Sequence, residues 1–334
     1  MIEPEDWHSV RTFLADKNKI LVTTHFNPDG DAIGSEVAIA LYLEQLGKQA
    51  YLINCDKTPK FLHFLDPENK IQQYNEEQHD ALFRTLDAAI IVDISDWKRL
   101  REVGQAIRKH SLPVACIDHH IPTDNMGEVQ ISDQNASSTG ELLYEFLVDS
   151  KAEMTQPIVD ALYTCILTDT GSFRFSNTTP KTHRITADLL QQGAHFREIY
   201  SNVYENYSKN RMKLKGMLLA NMNFECSDKL AWFVLSQELL QQSGAEMWET
   251  DGFSELPRSI EGVEISVMFM ETPEGTTKLS FRSKGHVAIN GLANKFDGGG
   301  HKFASGAIIA KPLAEAIPIV VEEAKTLLKS NNMC

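Results

Sequence analysis

The sequence predicts an α/β protein: a mostly parallel sheet flanked by helices in a larger N-terminal domain, then a smaller C-terminal α/β domain, with the active-site cleft between them. Three observations carry this expectation. Short, continuously apolar runs alternate with helical patterns through the first half, which is what a parallel sheet covered on both faces requires. Three of those runs end in His or Asp, and ligands of open α/β sheets collect outside the carboxyl ends of the strands. The second half changes character, with a helical stretch followed by strands and a glycine run.

Taken in order, residues 20–24 form the first strand, followed by a polar loop. Ser35 can cap a helix carrying Val37, Ile39, Leu41, Leu43 and Leu46, with Gly47 as its stop. Residues 50–53, 88–92 and 113–117 read as further strands. The pattern Leu142, Leu143, Phe146, Leu147 marks a helix over 139–148. Residues 181–211 read as helical, and 230–235, 263–269, 278–281 and 307–310 as the strands of the second domain. The expected partition is 1–190, a helical connector at 191–225, and 226–334.

Composition narrows the class. The 334 residues are 42% hydrophobic and 23% charged, which is ordinary globular usage rather than disorder. A net charge of −14 argues against a long nucleic-acid duplex, which needs a broad basic footprint. A short phosphorylated substrate stays compatible, since bound divalent cations invert the local field. No apolar run reaches the ~18 residues of a membrane span, and the acidic start Met1-Ile2-Glu3 lacks the order of a signal peptide. Five widely spaced cysteines without a CxxC pair predict neither a zinc cluster nor a disulfide framework, and fit a reduced cytoplasm.

The chemistry-bearing residues cluster at element ends. His25, Asp29 and Asp31 crowd into a loop whose Pro28 and Gly30 supply turn geometry. Asp93 ends one strand, and Asp118-His119-His120 follows another. There one imidazole can ligate a metal while its neighbour faces substrate and Asp118 orients a ring. Asp169 lies in a Thr-Asp-Thr-Gly segment, with Arg174 and Ser176 close behind as phosphate contacts. Taken singly, Asp29, Asp31, Asp93 and Asp169 read equally well as turn or cap residues, whereas two adjacent His directly after a buried strand are uncommon. Together, four Asp and two His suffice for two hard cations, Mn²⁺ before Mg²⁺ or others, with Asp93 as the bridge.

This ordered set resembles the DHH family of phosphoesterases, named for the triplet found here at Asp118-His119-His120. The segment FDGGGHKFASGA, from Phe296 to Ala307, resembles the glycine-rich motif of the DHH-associated C-terminal domain. The resemblance assigns one cation to His25, Asp29 and Asp93 and the other to Asp31, Asp93, His119 and Asp169. His120 then meets the scissile phosphate, making it and Asp93 catalytic, with Arg174 holding phosphate oxygens. Gly299 and Gly300 can present backbone N–H groups to the rest of the substrate, beside His301 and Arg282. Asp297 stands where many relatives carry another glycine. No GxxxxGK[ST] segment exists, so a P-loop reading fails.

The two-part layout is most similar to the bifunctional oligoribonuclease and 3′-phosphoadenosine-5′-phosphate phosphatase group. The implied substrates are short RNA (nanoRNA), dinucleotides such as pApA, and the bisphosphate nucleotide. A homodimer is implied as well. Cyclic di-AMP cleavage, exopolyphosphatase or pyrophosphatase activity, and nucleotide binding without turnover are the alternatives.

Overall fold

The computed structural model describes residues 4–250 and 252–334, so the first three residues of the acidic N-terminal stretch lie outside it. The described chain divides into two compact units, 1–206 and 207–334.

In the first unit the order is α1 (Pro4–Leu14), β1 (Lys19–Thr23), α2 (Gly30–Gln45), β2 (Gln49–Asn54), β3 (Gln72–Gln73), α3 (Glu76–Phe83) and β4 (Ala88–Val92). Then follow α4 (Arg101–Lys109), β5 (Val114–Asp118), β6 (Val129–Ser132), α5 (Thr139–Asp149), α6 (Gln156–Asp169), α7 (Pro180–Gln191) and α8 (Phe196–Tyr204). The six strands pair in parallel in the order β3-β2-β1-β4-β5-β6. Strand β4 shows why its sequence is apolar without alternation. Ala88, Ile90 and Val92 enter the core under α1, α2, α5 and α6, while Ala89 and Ile91 enter the core on the α3 and α4 side. The chain runs outward from β1 to β3, returns, and continues from β4 on the other side of β1. The topological switch point therefore lies between β1 and β4, where a doubly wound sheet opens a crevice at its carboxyl edge.

The helix expected from Ser35 begins earlier, at Gly30. Asn27 turns with φ +51°, and the Asp29 carboxylate accepts from the N–H groups of Asp31 and Ala32 as N-cap. Asp31 thus stands in the first helical turn rather than in a loop. Likewise Asp169 is the last residue of α6. Helix α2 packs closely on α6 because a Cβ on Gly34 would lie 2.5 Å from Cys165 Sγ and 2.6 Å from Ala161 O. Gly34→Ala should therefore destabilise the first unit by about 1–3 kcal/mol, outweighing the ~1 kcal/mol that Ala gains in helix propensity. Urea denaturation of the variant checks this, and an unchanged midpoint would refute the close-packing account.

The second unit contains α9 (Lys209–Ala220), β7 (Asn223–Glu225), β8 (Leu230–Leu235), α10 (Gln237–Ser243), β9 (Ile265–Glu271), β10 (Thr277–Ser283), α11 (Asn290–Asn294), β11 (Gly299–His301), β12 (Ala304–Ile309) and α12 (Leu313–Ser330). Its sheet order is β11-β12-β10-β9-β8-β7, antiparallel except for the β8–β9 pair. Ile265, Val267 and Phe269 face the core shared with α12, and Met268 and Met270 face the core shared with α9. The stretch 181–211 is helical as expected but broken into α7, α8 and the start of α9, of which only α9 falls in the second unit.

The glycine run forms β11, one strand of a β-hairpin with β12, with Gly299 opposite Gly306 and His301 opposite Ala304. A Cβ on Gly300, whose φ is +134°, would lie 2.7 Å from Ala304 O, so close strand approach demands glycine there. The spacing of the cysteines predicts no disulfide, yet Cys226 and Cys334 are bonded, with Cα atoms 4.7 Å apart. At a sequence separation of 108, no local pattern announces the pair. Cys55, Cys116 and Cys165 are free and buried. Among the described residues no helix is long and apolar enough to cross a membrane.

Candidate active site

Each strand at the switch point ends by handing a polar side chain to the same crevice. Beyond β1, His25 is buried, its Nδ1 2.8 Å from Phe26 O and its Nε2 3.3 Å from Asp93 Oδ2. Asp93 follows β4 in a left-handed conformation, φ +61°, and is 2% exposed. Asp tolerates that region better than most residues.

At the end of β5, Asp118 is fully buried. Its Oδ1 meets His120 Nδ1 at 2.8 Å and accepts from His120 N, and its Oδ2 accepts from Ser95 Oγ. Asp118 therefore orients His120, the more exposed ring. His119 turns the other way. Its Nδ1 lies 3.3 Å from Ala136 O, and its buried Nε2 has no hydrogen-bond partner. That nitrogen points among three carboxylates, 3.7 Å from Asp31 Oδ2, 3.7 Å from Asp93 Oδ1 and 3.6 Å from Asp169 Oδ2.

Three overlapping groups offer ligand atoms within 4.8 Å of one another: His25, Asp29, Asp93; Asp31, His119, Asp169; and Asp93, His119, His120. All seven of these sequence-predicted residues are thus brought together. Burial, and then the charges of Asp31, Asp29 and Asp169, hold the Asp93 carboxyl well above the usual carboxylate range. Asp169 is pushed up to about 8 by burial and by Asp31, against the opposing pull of His119. Burial acts against a proton on His119, but Asp31, Asp169 and Asp118 outweigh it and raise its pKa. His25 moves the other way, depressed by burial more than Asp29 raises it. The chemistry of this donor set, imidazole with crowded carboxylate oxygens around an orphaned imidazole nitrogen, fits hard divalent cations.

Several participants carry no strong signal in the sequence. The N-terminus of α5 cradles Asp31: Thr139 N donates to Oδ2 at 2.7 Å and Gly140 N to Oδ1 at 2.9 Å. A helix N-terminus favours such a negative charge. Ser138 caps this helix, its Oγ accepting from Glu141 N. No local sequence pattern announces that the same helix end grips an Asp over 100 residues earlier. Asn177 donates to Asp169 Oδ2 at 3.2 Å and to Ser137 O at 2.8 Å, tying Asp169 to the α5 cap.

The remaining predicted residues lie elsewhere. Arg174 is exposed, with its Nε donating to Gly171 O at 2.7 Å and its guanidinium over the Phe175 ring. None of these partners belongs to the carboxylate–imidazole cluster. In the second unit, Arg282, Gly299, Gly300 and His301 line one groove together with Lys278 and Ser280. Arg282 Nε donates to Glu255 Oε1, and His301 is exposed.

Comparison with known proteins agrees with this architecture. Residues 19–168 match the DHH family, N-terminal domain, and residues 232–330 match the DHHA1 domain. The chain is 32% identical over 311 residues to the bifunctional oligoribonuclease and PAP phosphatase NrnA of Thermus thermophilus, covering 92% of this chain and 90% of that protein. The Bacillus subtilis protein of the same name is 30% identical over 293 residues, covering 87% and 89%. The crystal structure of an exopolyphosphatase-related protein from Bacteroides fragilis superposes with a TM-score of 0.90 at 28% identity, over 99% of this chain and 97% of that one. The chain therefore belongs to the DHH family of phosphoesterases, and is a hydrolase that joins an N-terminal DHH domain to a C-terminal DHHA1 domain.

Proposed function

We propose that the protein is a Mn²⁺-dependent two-metal phosphoesterase that hydrolyses short oligonucleotides, such as nanoRNA and pApA, and 3′-phosphoadenosine 5′-phosphate. The observation that carries this is the sharing of Asp93 and His119 between overlapping ligand groups. His25, Asp29 and Asp93 would hold one cation, and Asp31, Asp93, His119 and Asp169 the other. Cations bound there would supply Lewis acidity to a phosphoryl oxygen and lower the pKa of an attacking water. The chain supplies the rest. Asp118 fixes the ring of His120 through Nδ1, leaving Nε2 for a phosphoryl oxygen, to which it donates when both ring nitrogens carry protons. Asp31 and Asp169 are held in place by α5 and Asn177, so little reorganisation is needed during the reaction. The groove of Arg282, Gly299, Gly300 and His301 is assigned to nucleotide binding, and Arg174 to phosphate oxygens. The substrate assignment is supported by the two relatives named as oligoribonuclease and PAP phosphatase.

A turnover panel tests the reading: pApA, short RNA, 3′-phosphoadenosine 5′-phosphate, c-di-AMP, polyphosphate and pyrophosphate, each with Mn²⁺ and with EDTA. The expected result is Mn²⁺-dependent release of AMP from pApA and from the bisphosphate nucleotide. Turnover confined to c-di-AMP, polyphosphate or pyrophosphate would overturn the substrate assignment, and binding without any turnover would overturn the catalytic one.

A further inference from the structure

We propose that Thr139 is a positioning residue that sets the plane of the Asp93 carboxylate so that its two oxygens face different cations. The proposal rests on the two-metal reading above. Asp93 is the carboxylate most in need of orientation. It is 2% exposed, sits on a left-handed backbone and is surrounded by other acids. Its Oδ2 faces His25 at 3.3 Å, while its Oδ1 faces His119 and His120, each at 3.7 Å. A quarter turn of the carboxylate would take both oxygens away from these two directions.

Among the described residues, Thr139 provides the hydroxyl that opposes such a turn, with Oγ1 donating to Asp93 Oδ1 at 2.9 Å. A hydroxyl has one hydrogen, so it selects one oxygen and one direction. Thr139 is itself immobile. It is fully buried at the first position of α5, and its backbone N–H is committed to Asp31 Oδ2 at 2.7 Å. Gly140 beside it has no room to shift, since a Cβ there would lie 2.2 Å from Cys165 Cβ. Behind it, Glu141 Oε2 accepts from Ser137 Oγ at 2.6 Å and Thr182 Oγ1 at 3.0 Å, locking the cap to α7. One residue thereby couples Asp31, through its backbone, to Asp93, through its side chain. Partners that orient metal ligands in this way are commonly worth 10–100-fold in metal affinity.

The test compares the wild type with Thr139→Val, which keeps the shape and the backbone N–H but removes the hydroxyl, and with Thr139→Ser, which restores it. The readouts are Mn²⁺ titration by calorimetry and electron paramagnetic resonance, which separates a spin-coupled Mn²⁺ pair from single ions, alongside kcat and KM on pApA. Wild type and Thr139→Ser should show the coupled pair. Thr139→Val should bind its second Mn²⁺ about 10–100-fold more weakly, lose the coupled signal, and fall in kcat with KM little changed. A coupled pair of wild-type affinity in Thr139→Val would overturn the proposal. Should that variant not fold, as circular dichroism in EDTA would show, Thr139→Ala carries the same measurement with the same two outcomes. No coupled pair in the wild type would instead defeat the two-metal reading itself, so the two failures are distinguishable.

Discussion

Asp93→Asn is expected to abolish phosphoester hydrolysis and, in the same protein, to raise the melting temperature measured in EDTA. The two effects share one cause. Without cations the site is a buried concentration of like charge, in which Asp31, Asp29 and Asp169 all press on Asp93. Those charges and burial hold its pKa well above the usual range, so in EDTA folding must force a proton onto the acid, and the neutral isostere removes that cost. Asn accepts the φ of +61° as readily as Asp, so no backbone cost is added. With cations, however, Asn offers one neutral oxygen where two groups need a shared carboxylate. Several kcal/mol of transition-state stabilisation then disappear, corresponding to a rate loss of about 10³-fold or more. Wild type should also gain stability on adding Mn²⁺, about 2.7 kcal/mol at a hundredfold excess over Kd, and the variant much less. Turnover and melting curves with EDTA and with Mn²⁺ measure both effects. Wild-type rates in the variant would end the bridging role.

Glu36→Gln is expected to flatten the pH dependence of stability and to leave the protein more stable than wild type at alkaline pH. Glu36 is completely buried on α2. Its Oε2 accepts from Asn54 Nδ2 at 2.7 Å, while its Oε1 finds no partner. Asn54 Oδ1 in turn accepts from Thr24 N at 3.1 Å, so the acid braces the exit of β1 that delivers His25. Burial raises the Glu36 pKa from 4.5 to about 8. Since the folded value lies above the unfolded one, the fold favours the protonated acid. That contribution is fully present below pH 4.5 and is lost as pH rises through about 8. Gln imitates the protonated form at every pH. The two proteins should therefore match near pH 4 and differ by on the order of a few kcal/mol near pH 9, wild type being the weaker. Asp169 titrates in the same range in EDTA, but it is common to both proteins and cancels in the difference. Parallel denaturation profiles across that range would refute the assignment.

The alternation of strands and helices in the first half was legible because each strand is buried on two faces and its apolar run is unbroken. Strand β3, two exposed residues long, and the short β6 carry no such run and were not legible. The start of α2 was misplaced because Asp29 caps a helix while also standing among ligand candidates, and composition does not separate those roles.

The sequence by itself named the candidate residues that meet at the carboxyl edge of the first sheet. His25, Asp29, Asp31, Asp93, His119, His120 and Asp169 could be named because each ends or begins an element, and the order of the elements places those ends at one sheet edge. Only the tertiary structure decided how the inventory is wired: that Asp118 grips His120 and not His119, that α5 lays two N–H groups on Asp31, that Thr139 reaches Asp93, and that Cys226 meets Cys334. The reason is one of range. Hydrophobic period and capping act over a few residues and leave their mark in the local pattern. A hydrogen bond from Thr139 to Asp31 joins positions separated by 108 residues, and depends on distances that exist only after the helices have packed.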